Sequence, residues 1–153
     1  MAPGLLSALP PRVFAAGEPV AYAALRLGYG LTLVTHGVPK LFGLPHGSMA
    51  DPMAGSTRLI DTVLGLPFAP QIAMAIAVLE GVGGAMLAAG LATRMLALAF
   101  AVQMVAICLA LGPTYPWIDR GIEYPIILGL VGAAVAMRGG GRFSLDRMIS
   151  NRS

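Results

Sequence analysis

The stretch PQIAMAIAVLEGVGGAMLAAGL, residues 70–91, decides the fold of this chain. Residues 72–79 are apolar on every side of a helix, whereas the helices of soluble proteins carry a polar face. Glu80 is the one charged residue of the stretch. The length of the stretch suits a bilayer crossing, because about 20 apolar residues span the hydrocarbon core. Small residues recur at every fourth position from Ala77 to Ala89, which lets a second helix approach closely. The stretch therefore predicts a closely packed transmembrane helix.

Three further apolar runs occupy residues 19–44, 95–111 and 122–137. The chain of 153 residues is 57% hydrophobic and 11% charged, whereas about 25% of the residues in a soluble domain are charged. A soluble helical bundle is the alternative, but segments such as residues 95–101 are apolar all round and disfavour it. We expect one domain, residues 19–138, that folds as an all-α integral membrane four-helix bundle.

The segments outside the spans carry the basic residues that set the predicted topology. Six arginines lie on the side of the termini and three cations lie on the other side, so the positive-inside rule places both termini in the cytoplasm. The prolines of residues 1–18 indicate a flexible cytoplasmic arm rather than a signal peptide, and residues 139–153 form a basic cytoplasmic tail. Because topology accounts for the net charge of +3, we expect no nucleic-acid partner. The six are Arg12, Arg94, Arg138, Arg142, Arg147 and Arg152, and the three are Lys40, Arg58 and Arg120.

The outer connection between the first two spans contains a helix signal. Asp51 and Pro52 have the residue types of an N-cap and a first helical position. Apolar residues then recur at helical spacing from Leu59 to Leu64. We expect a short amphipathic helix in the outer loop between helices 1 and 2. It either packs on the bundle or forms a lid over a cavity.

Polar residues inside the apolar runs are the first functional candidates, because a charge in hydrocarbon is costly unless it is paired. At 1.5 Å per residue, Arg26 lies about 10 Å, Gln103 about 13 Å and Glu80 about 16 Å from the cytoplasmic ends of their spans. We therefore expect these three residues to form one mid-membrane polar layer. It is either a structural ion pair of Arg26 and Glu80 that sets helix register or a site where Glu80 exchanges protons.

A second polar layer is expected nearer the outer surface. His36 and Lys40 share one side of the first helix with Arg26, and Glu123 opens the fourth span at the same outer level. Gly37 and the proline at position 39 loosen the helix here. Irregular backbone in a membrane is tolerated where it lines a cavity, so a cavity is expected at this level. His36, Lys40, Glu123 and Glu80 are thus candidates for ligand binding or proton exchange. The alternative is ordinary anchoring of Lys40 at the interface.

No metal site or intrinsic cofactor is expected. Cys108 is the only cysteine, which excludes a disulfide within the chain and a zinc cluster of cysteines. A haem held by His36 and His46 is disfavoured because His46 falls in the outer loop. The glycines at residues 139–141 form a flexible exit from the fourth helix and not a nucleotide loop.

Several short motifs, in order, resemble the DoxX family of small four-helix membrane proteins. The first span contains an arginine and then HGVPKLF at residues 36–42, and the second contains LEGVGG at residues 79–84. A Thr-Arg turn at residues 93–94, the glutamate that opens the last span and GRFSLDR at residues 141–147 complete the resemblance, which covers about residues 20–149. The proline at position 39 departs from the family pattern.

The resemblance implies a multi-pass protein of the bacterial plasma membrane. Family members have been linked to quinone-coupled oxidation, as in the small subunit of thiosulfate:quinone oxidoreductase, and to oxidative-stress complexes. Arg26, His36, Lys40, Glu80 and Glu123 carry over as the positions of interest. A quinone or a similar apolar ligand is the expected ligand. The chain has no redox centre of its own, so the electrons would come from a partner or from that ligand.

Three functions stay open at this point. The first is a membrane subunit of a quinone-linked oxidoreductase or oxidative-stress system that binds a quinone-like or lipidic ligand among its helices. The second is a non-catalytic anchor or assembly factor that holds a soluble partner through the cytoplasmic tail. The third is a small transporter, which the lack of an inverted repeat disfavours. For each function the sequence leaves the oligomeric state open.

Overall fold

The computed structural model of this protein describes residues 11–151, and its regular elements in that range are all helical. The prediction of an all-α fold is therefore confirmed. The helices are α1 (Pro11–Phe42), α2 (Pro52–Arg58), α3 (Ala69–Ala89), α4 (Thr93–Leu111), α5 (Glu123–Arg138) and α6 (Leu145–Ser150). A π-helical turn, Leu59–Val63, continues α2, and a second one, Leu79–Gly83, lies within α3. A 3₁₀ turn, Trp117–Asp119, precedes α5.

The predicted flexible arm, residues 1–18, is wrong for its second half. Residues 11–18 are the first turns of α1, and residues 1–10 lie outside the described part of the chain. A proline is tolerated in the first turn of a helix, and Glu18 forms an ion pair with Arg138 of α5. This tertiary contact, which sequence spacing does not reveal, helps to order the segment. The basic tail also contains structure, because α6 lies within it.

Within residues 11–151, two helices, α3 and α4, are long and apolar enough to cross a membrane, with mean hydropathies of 1.9 and 2.1. Large apolar side chains cover their outer faces and that of α5: Val102 is 63% exposed, Leu109 70% and Leu130 64%. Contiguous apolar surface of this kind is rare on soluble monomers. It indicates that lipid surrounds these helices.

Packing pairs α1 with α3 and α4 with α5. Side chains from all four helices share one core, in which Leu33, Leu87, Phe100 and Val135 are almost fully buried. We call the end of the molecule that holds the α3–α4 connection and α6 the tail end. The opposite end, with residues 43–68 and 112–122, is the loop end. Asp51 caps α2 there by accepting a hydrogen bond from the Ala54 N–H at 2.8 Å.

Close backbone contact between α1 and α3 depends on glycine. A Cβ atom on Gly37 would lie 2.1 Å from the backbone nitrogen of Gly81, and one on Gly30 would lie 2.5 Å from that of Ala88. The α1 helix continues through Pro39 to Phe42. The irregular backbone at this level therefore lies in α3, where the π-helical turn faces Gly37, and not in α1 as the sequence suggests.

We expect Gly37→Ala to destabilise the protein by about 1–3 kcal/mol, the usual cost of overpacking. Gly28→Ala on the same helix is the matched control, because nothing lies within 4 Å of its added Cβ. In a helix that change alone stabilises by about 0.5–1 kcal/mol. Thermal unfolding of both variants in detergent measures the difference, and equal melting temperatures would contradict the close approach.

Candidate functional site

Glu80 occupies an unusual position for an acidic side chain. It is 3% exposed and lies in the π-helical turn of α3. Such turns insert one residue into an α-helix and are frequent at functional sites. Here the turn faces the Gly37 contact with α1, so the carboxylate is held where α1 and α3 come closest.

Two neighbouring helices supply partners for this carboxylate. Lys40 of α1 donates to Glu80 Oε2 at 2.6 Å, and Gln103 of α4 donates from Nε2 to Glu80 Oε1 at 2.6 Å. The Lys40 side chain is 12% exposed, whereas that of Glu80 is 4% exposed. We call these three residues the Glu80 cluster. Both carboxylate oxygens are bonded, and Lys40 is the member nearest to the surface.

One acceptor in the cluster has no protein partner. Gln103 Oε1 is buried without a hydrogen bond, although its amide nitrogen is engaged by Glu80. A buried amide oxygen without a donor costs free energy unless another group supplies one. The cluster thus combines a paired acid and base with a spare acceptor, which is the chemistry needed to exchange a proton or to bind a polar ligand.

The predicted pairing of Arg26 with Glu80 is wrong, whereas the contact between Glu80 and Gln103 is observed. Arg26 is 3% exposed and donates to the carbonyls of Gly140, Phe143 and Ala88, the last two at 2.7 and 3.4 Å. Ala88 lies eight residues beyond Glu80, or about 12 Å along a helix. Arg26 therefore belongs to the tail end, and Lys40 takes the place assigned to it.

His36 and Glu123 have other partners than those expected. His36 Nδ1 lies 2.9 Å from the carbonyl oxygen of Thr32, and its ring lies 4.8 Å from the ring of His46. Glu123 accepts a hydrogen bond from the Trp117 N–H at 3.1 Å. The predicted outer layer thus divides: Lys40 joins Glu80, His36 meets His46, and Glu123 holds the turn before α5.

The tail end contains a lock that links α6 to the α3–α4 connection. Asp146 accepts from the backbone N–H groups of Ala92 and Thr93 at 2.7 and 2.9 Å, and its own N–H donates to the Gly90 carbonyl at 2.9 Å. Ala92 has a φ of 50°, a left-handed conformation that a non-glycine residue adopts only under constraint. Asp146 thus caps the start of α4 from a distant part of the chain.

The charge of Asp146 is favoured in the folded protein. Partial burial would raise the pKa of this carboxyl, but hydrogen bonds from Thr93 and Ala92 and the nearby charge of Arg26 outweigh burial and lower the pKa. Sequence reasoning did not select Asp146, nor Tyr22, which donates to the Gly139 carbonyl at 2.5 Å. Asp146 belongs to the motif GRFSLDR at residues 141–147, which could have indicated its importance from the sequence.

Comparison with family models gives one match, DoxX, over residues 21–112. The chain belongs to the DoxX family. Comparisons with curated proteins and with solved structures give no significant match. DoxX proteins are membrane proteins, and the apolar helices α3 and α4 also indicate a membrane protein.

The region of this DoxX protein that the family model matches contains the whole Glu80 cluster and Arg26. Glu123 and Asp146 lie beyond its end, so the resemblance noted at those positions has no support from the family match. Within residues 11–151, no three histidine, cysteine, aspartate or glutamate side chains are grouped to hold a metal ion.

We expect Lys40→Met and Glu80→Gln each to lower stability by about 3–5 kcal/mol, because each leaves a buried group without its charged partner. The double variant should lose less than the sum of the two, since coupled residues are not additive. Thermal unfolding in detergent tests this, with the exposed cation Arg58→Met as control. Strict additivity would show that the pair at 2.6 Å contributes no coupling.

Asp146 makes the tail-end lock sensitive to acid. Its folded pKa lies below the ordinary value of 3.8, so its stabilisation is complete above that value and is lost as the pH falls through the folded pKa. We expect the wild type to melt at a higher temperature than Asp146→Asn at neutral pH, with the gap closing only below about pH 4. A gap that stays constant down to pH 2 would contradict the assignment.

Proposed function

We propose that this DoxX protein is a multi-pass subunit of a quinone-linked oxidoreductase or oxidative-stress system in the bacterial plasma membrane. In this proposal α1, α3, α4 and α5 form a membrane-spanning four-helix bundle and both termini lie in the cytoplasm. The helix α2 then lies at the outer surface, over the loop end. The lipid bilayer is its first partner, and a redox protein that supplies electrons is its second.

The observation that carries the proposal is the Glu80 cluster. Reduction of a quinone consumes protons as well as electrons, and the chain offers a buried acid–base pair of Lys40 and Glu80 at 2.6 Å. The Lys40 ammonium can donate a hydrogen bond to a quinone carbonyl from the edge of the cluster. When Lys40 turns toward the quinone, Glu80 loses its paired cation and can take up a proton from water. It can then pass that proton to the reduced quinone, which leaves Glu80 ionised again beside Lys40.

An apolar groove at the tail end is a competing location for the ligand. It has a volume of about 440 Å³ and is lined by α1 residues that include Leu27 and Arg26, together with Ala88 and Phe143. Its lining is mostly apolar, which suits a lipid chain. Leu27→Trp would fill this groove without touching the Glu80 cluster, so the variant separates the two locations.

Binding of a short-chain quinone to protein in lipid nanodiscs tests the proposal. We expect Lys40→Met to weaken binding about 10- to 100-fold, since a hydrogen bond to a charged group contributes about 1.5–3 kcal/mol. Arg58→Met removes an exposed cation and should leave the affinity unchanged. Native mass spectrometry reports retained quinone and subunit number together.

Two results would overturn the assignment. If folded wild-type protein does not bind quinone, a quinone is not the ligand. If folded Lys40→Met binds quinone as tightly as the wild type, the Glu80 cluster is not the binding site. Loss of binding in Leu27→Trp alone would move the ligand to the tail-end groove.

The second candidate function is a non-catalytic anchor or assembly factor. It is favoured by α6, because Asp146 locks this helix to the bundle while Phe143 and Met148 remain exposed. Arg142 and Arg147 are exposed as well. Because α6 is fixed to the bundle, its exposed apolar and basic side chains form a surface that suits a soluble acidic partner. Deletion of the tail would also remove the lock, so point changes are the cleaner probe.

We expect Phe143→Ser combined with Met148→Ser to release a co-purifying soluble partner if the anchor function is correct. Quinone binding at the Glu80 cluster should be unaffected by this variant, because neither residue belongs to that cluster. Phe143 also lines the tail-end groove, so Leu27→Trp is measured beside it. Arg152→Gln is a control that removes a tail charge and keeps both apolar side chains. Retention of the partner by the double variant would contradict an anchor that uses this surface.

A further inference from the structure

The two histidines of this protein come together at the loop end, although they lie ten residues apart in the sequence. His36 belongs to the last turns of α1, and His46 belongs to the turn that follows it. Their ring centres are 4.8 Å apart and the ring planes are inclined by 54°. The chain contains no other histidine, so every imidazole it possesses is in this pair.

Hydrogen bonding assigns the tautomer of His36. Its Nδ1 atom lies 2.9 Å from the Thr32 carbonyl oxygen, and a carbonyl oxygen can only accept a hydrogen bond. Nδ1 therefore carries the proton, and Nε2 of the neutral ring carries a lone pair. Histidines that bind metals commonly donate their second N–H to a backbone carbonyl, which orients the ring and raises its basicity.

His46 is held by its backbone. Its N–H donates to the Met49 carbonyl at 2.9 Å, and the Met49 N–H donates back to the His46 carbonyl at 3.0 Å. This reciprocal pair forms the small turn that returns the chain toward α1. The turn keeps the second imidazole beside His36 without using either of its ring nitrogens.

The spacing of the two rings matches the chelation of one ion. With metal–nitrogen distances of about 2.0–2.1 Å and a tetrahedral or square arrangement, the centres of two bound imidazoles lie about 5 Å apart. The rings are inclined by 54° and not stacked in parallel, and rotation of the His46 side chain in its turn would let it share an ion with Nε2 of His36. Simple packing of two aromatic rings is the competing explanation.

We infer that His36 and His46 form a two-histidine site for a divalent ion of the copper(II) or zinc class. Imidazole nitrogen suits these ions, whereas magnesium and calcium prefer oxygen ligands. Two protein ligands leave coordination positions for water or an exchangeable ligand, so the site is open and reversible. It ties the turn of residues 43–50 to α1. This inference does not depend on quinone binding.

Two cationic side chains lie near the site, and neither is a buried free charge. Arg120 is exposed to water and donates to Ser48 Oγ at 3.3 Å, two residues from His46. Lys40 lies one helical turn beyond His36, and a free ammonium there would repel a divalent ion. Its charge is instead paired with Glu80 at 2.6 Å, which reduces the repulsion. The ion would thus sit directly beside Lys40, the member of the cluster proposed to contact the quinone.

Copper(II) titration of the full-length protein in detergent, purified without a polyhistidine tag, tests the site. We expect one copper per chain, with nitrogen hyperfine structure from two imidazoles in electron paramagnetic resonance. His46→Gln and His36→Gln should each weaken binding at least about 10-fold, as loss of even a supporting group around a metal costs 10- to 100-fold. The double variant should lose the imidazole signal completely.

Leu44→Ala is the matched control, because it changes an exposed side chain of the same turn and keeps both imidazoles and the Thr35 hydroxyl beside His36. Its copper affinity should stay within about twofold of the wild type, a free-energy change well below 1.4 kcal/mol. Melting temperatures with a chelator present show whether each variant folds. His46 lies outside the helices, so His46→Gln decides the question if His36→Gln does not fold.

The inference is overturned if folded wild-type protein binds no copper or zinc. It is also overturned if folded His46→Gln keeps the wild-type affinity and nitrogen signal, which would leave the two rings as a packing contact. Quinone binding measured on the same samples separates this result from the proposed function. A variant that loses copper and keeps quinone supports the metal site and leaves the quinone site intact.

Discussion

The structure depends on the need to pair the carboxylate of Glu80 inside an apolar bundle. A buried charge that loses its partner costs about 3–5 kcal/mol, so the three helices must meet in a register that brings Lys40 and Gln103 to the two carboxylate oxygens. Gly37 allows α1 to lie against the π-helical turn of α3, which places Lys40 one turn further along at the correct height. The same contact joins α4 through Gln103. Helix register and the candidate site are therefore consequences of one interaction.

Polar side chains buried in the apolar bundle find their hydrogen-bond partners in different ways in different parts of the molecule. At the tail end, Arg26 satisfies backbone carbonyls and Asp146 satisfies backbone N–H groups, so the polar groups are used to close the fold. In the middle of the bundle, Lys40 and Glu80 are paired with each other and Gln103 keeps a free acceptor, and at the loop end two histidines meet without a shared hydrogen bond. The polar groups of these two regions are not all used by the backbone, so they can bind a ligand or an ion.

Much of the fold was predictable, because hydrocarbon as a solvent restricts the options. In lipid, the backbone N–H and C=O groups of an apolar run must bond to each other, which a helix achieves. The apolar residues around Glu80 were therefore enough to predict a helix. The contact of Glu80 with Gln103 also followed, since both lie near the middle of adjacent antiparallel helices. The pairing of Arg26 failed because the count took residue 19 of α1 to be level with residue 91 of α3, whereas Arg26 bonds Ala88 near the end of α3. Counting along separate helices also gives no information on their relative shift.

The sequence by itself determined the helical class, the apolar surfaces, the family and the identity of the buried acid, because these depend on composition and on local spacing. Only the tertiary structure decided which cation pairs with Glu80, that Asp146 caps α4, and that His36 and His46 meet. Each of these is a contact between distant parts of the chain, set by how closely two backbones approach. That approach depends on glycines such as Gly37 and on the π-helical turn facing it, and neither is expressed in hydropathy.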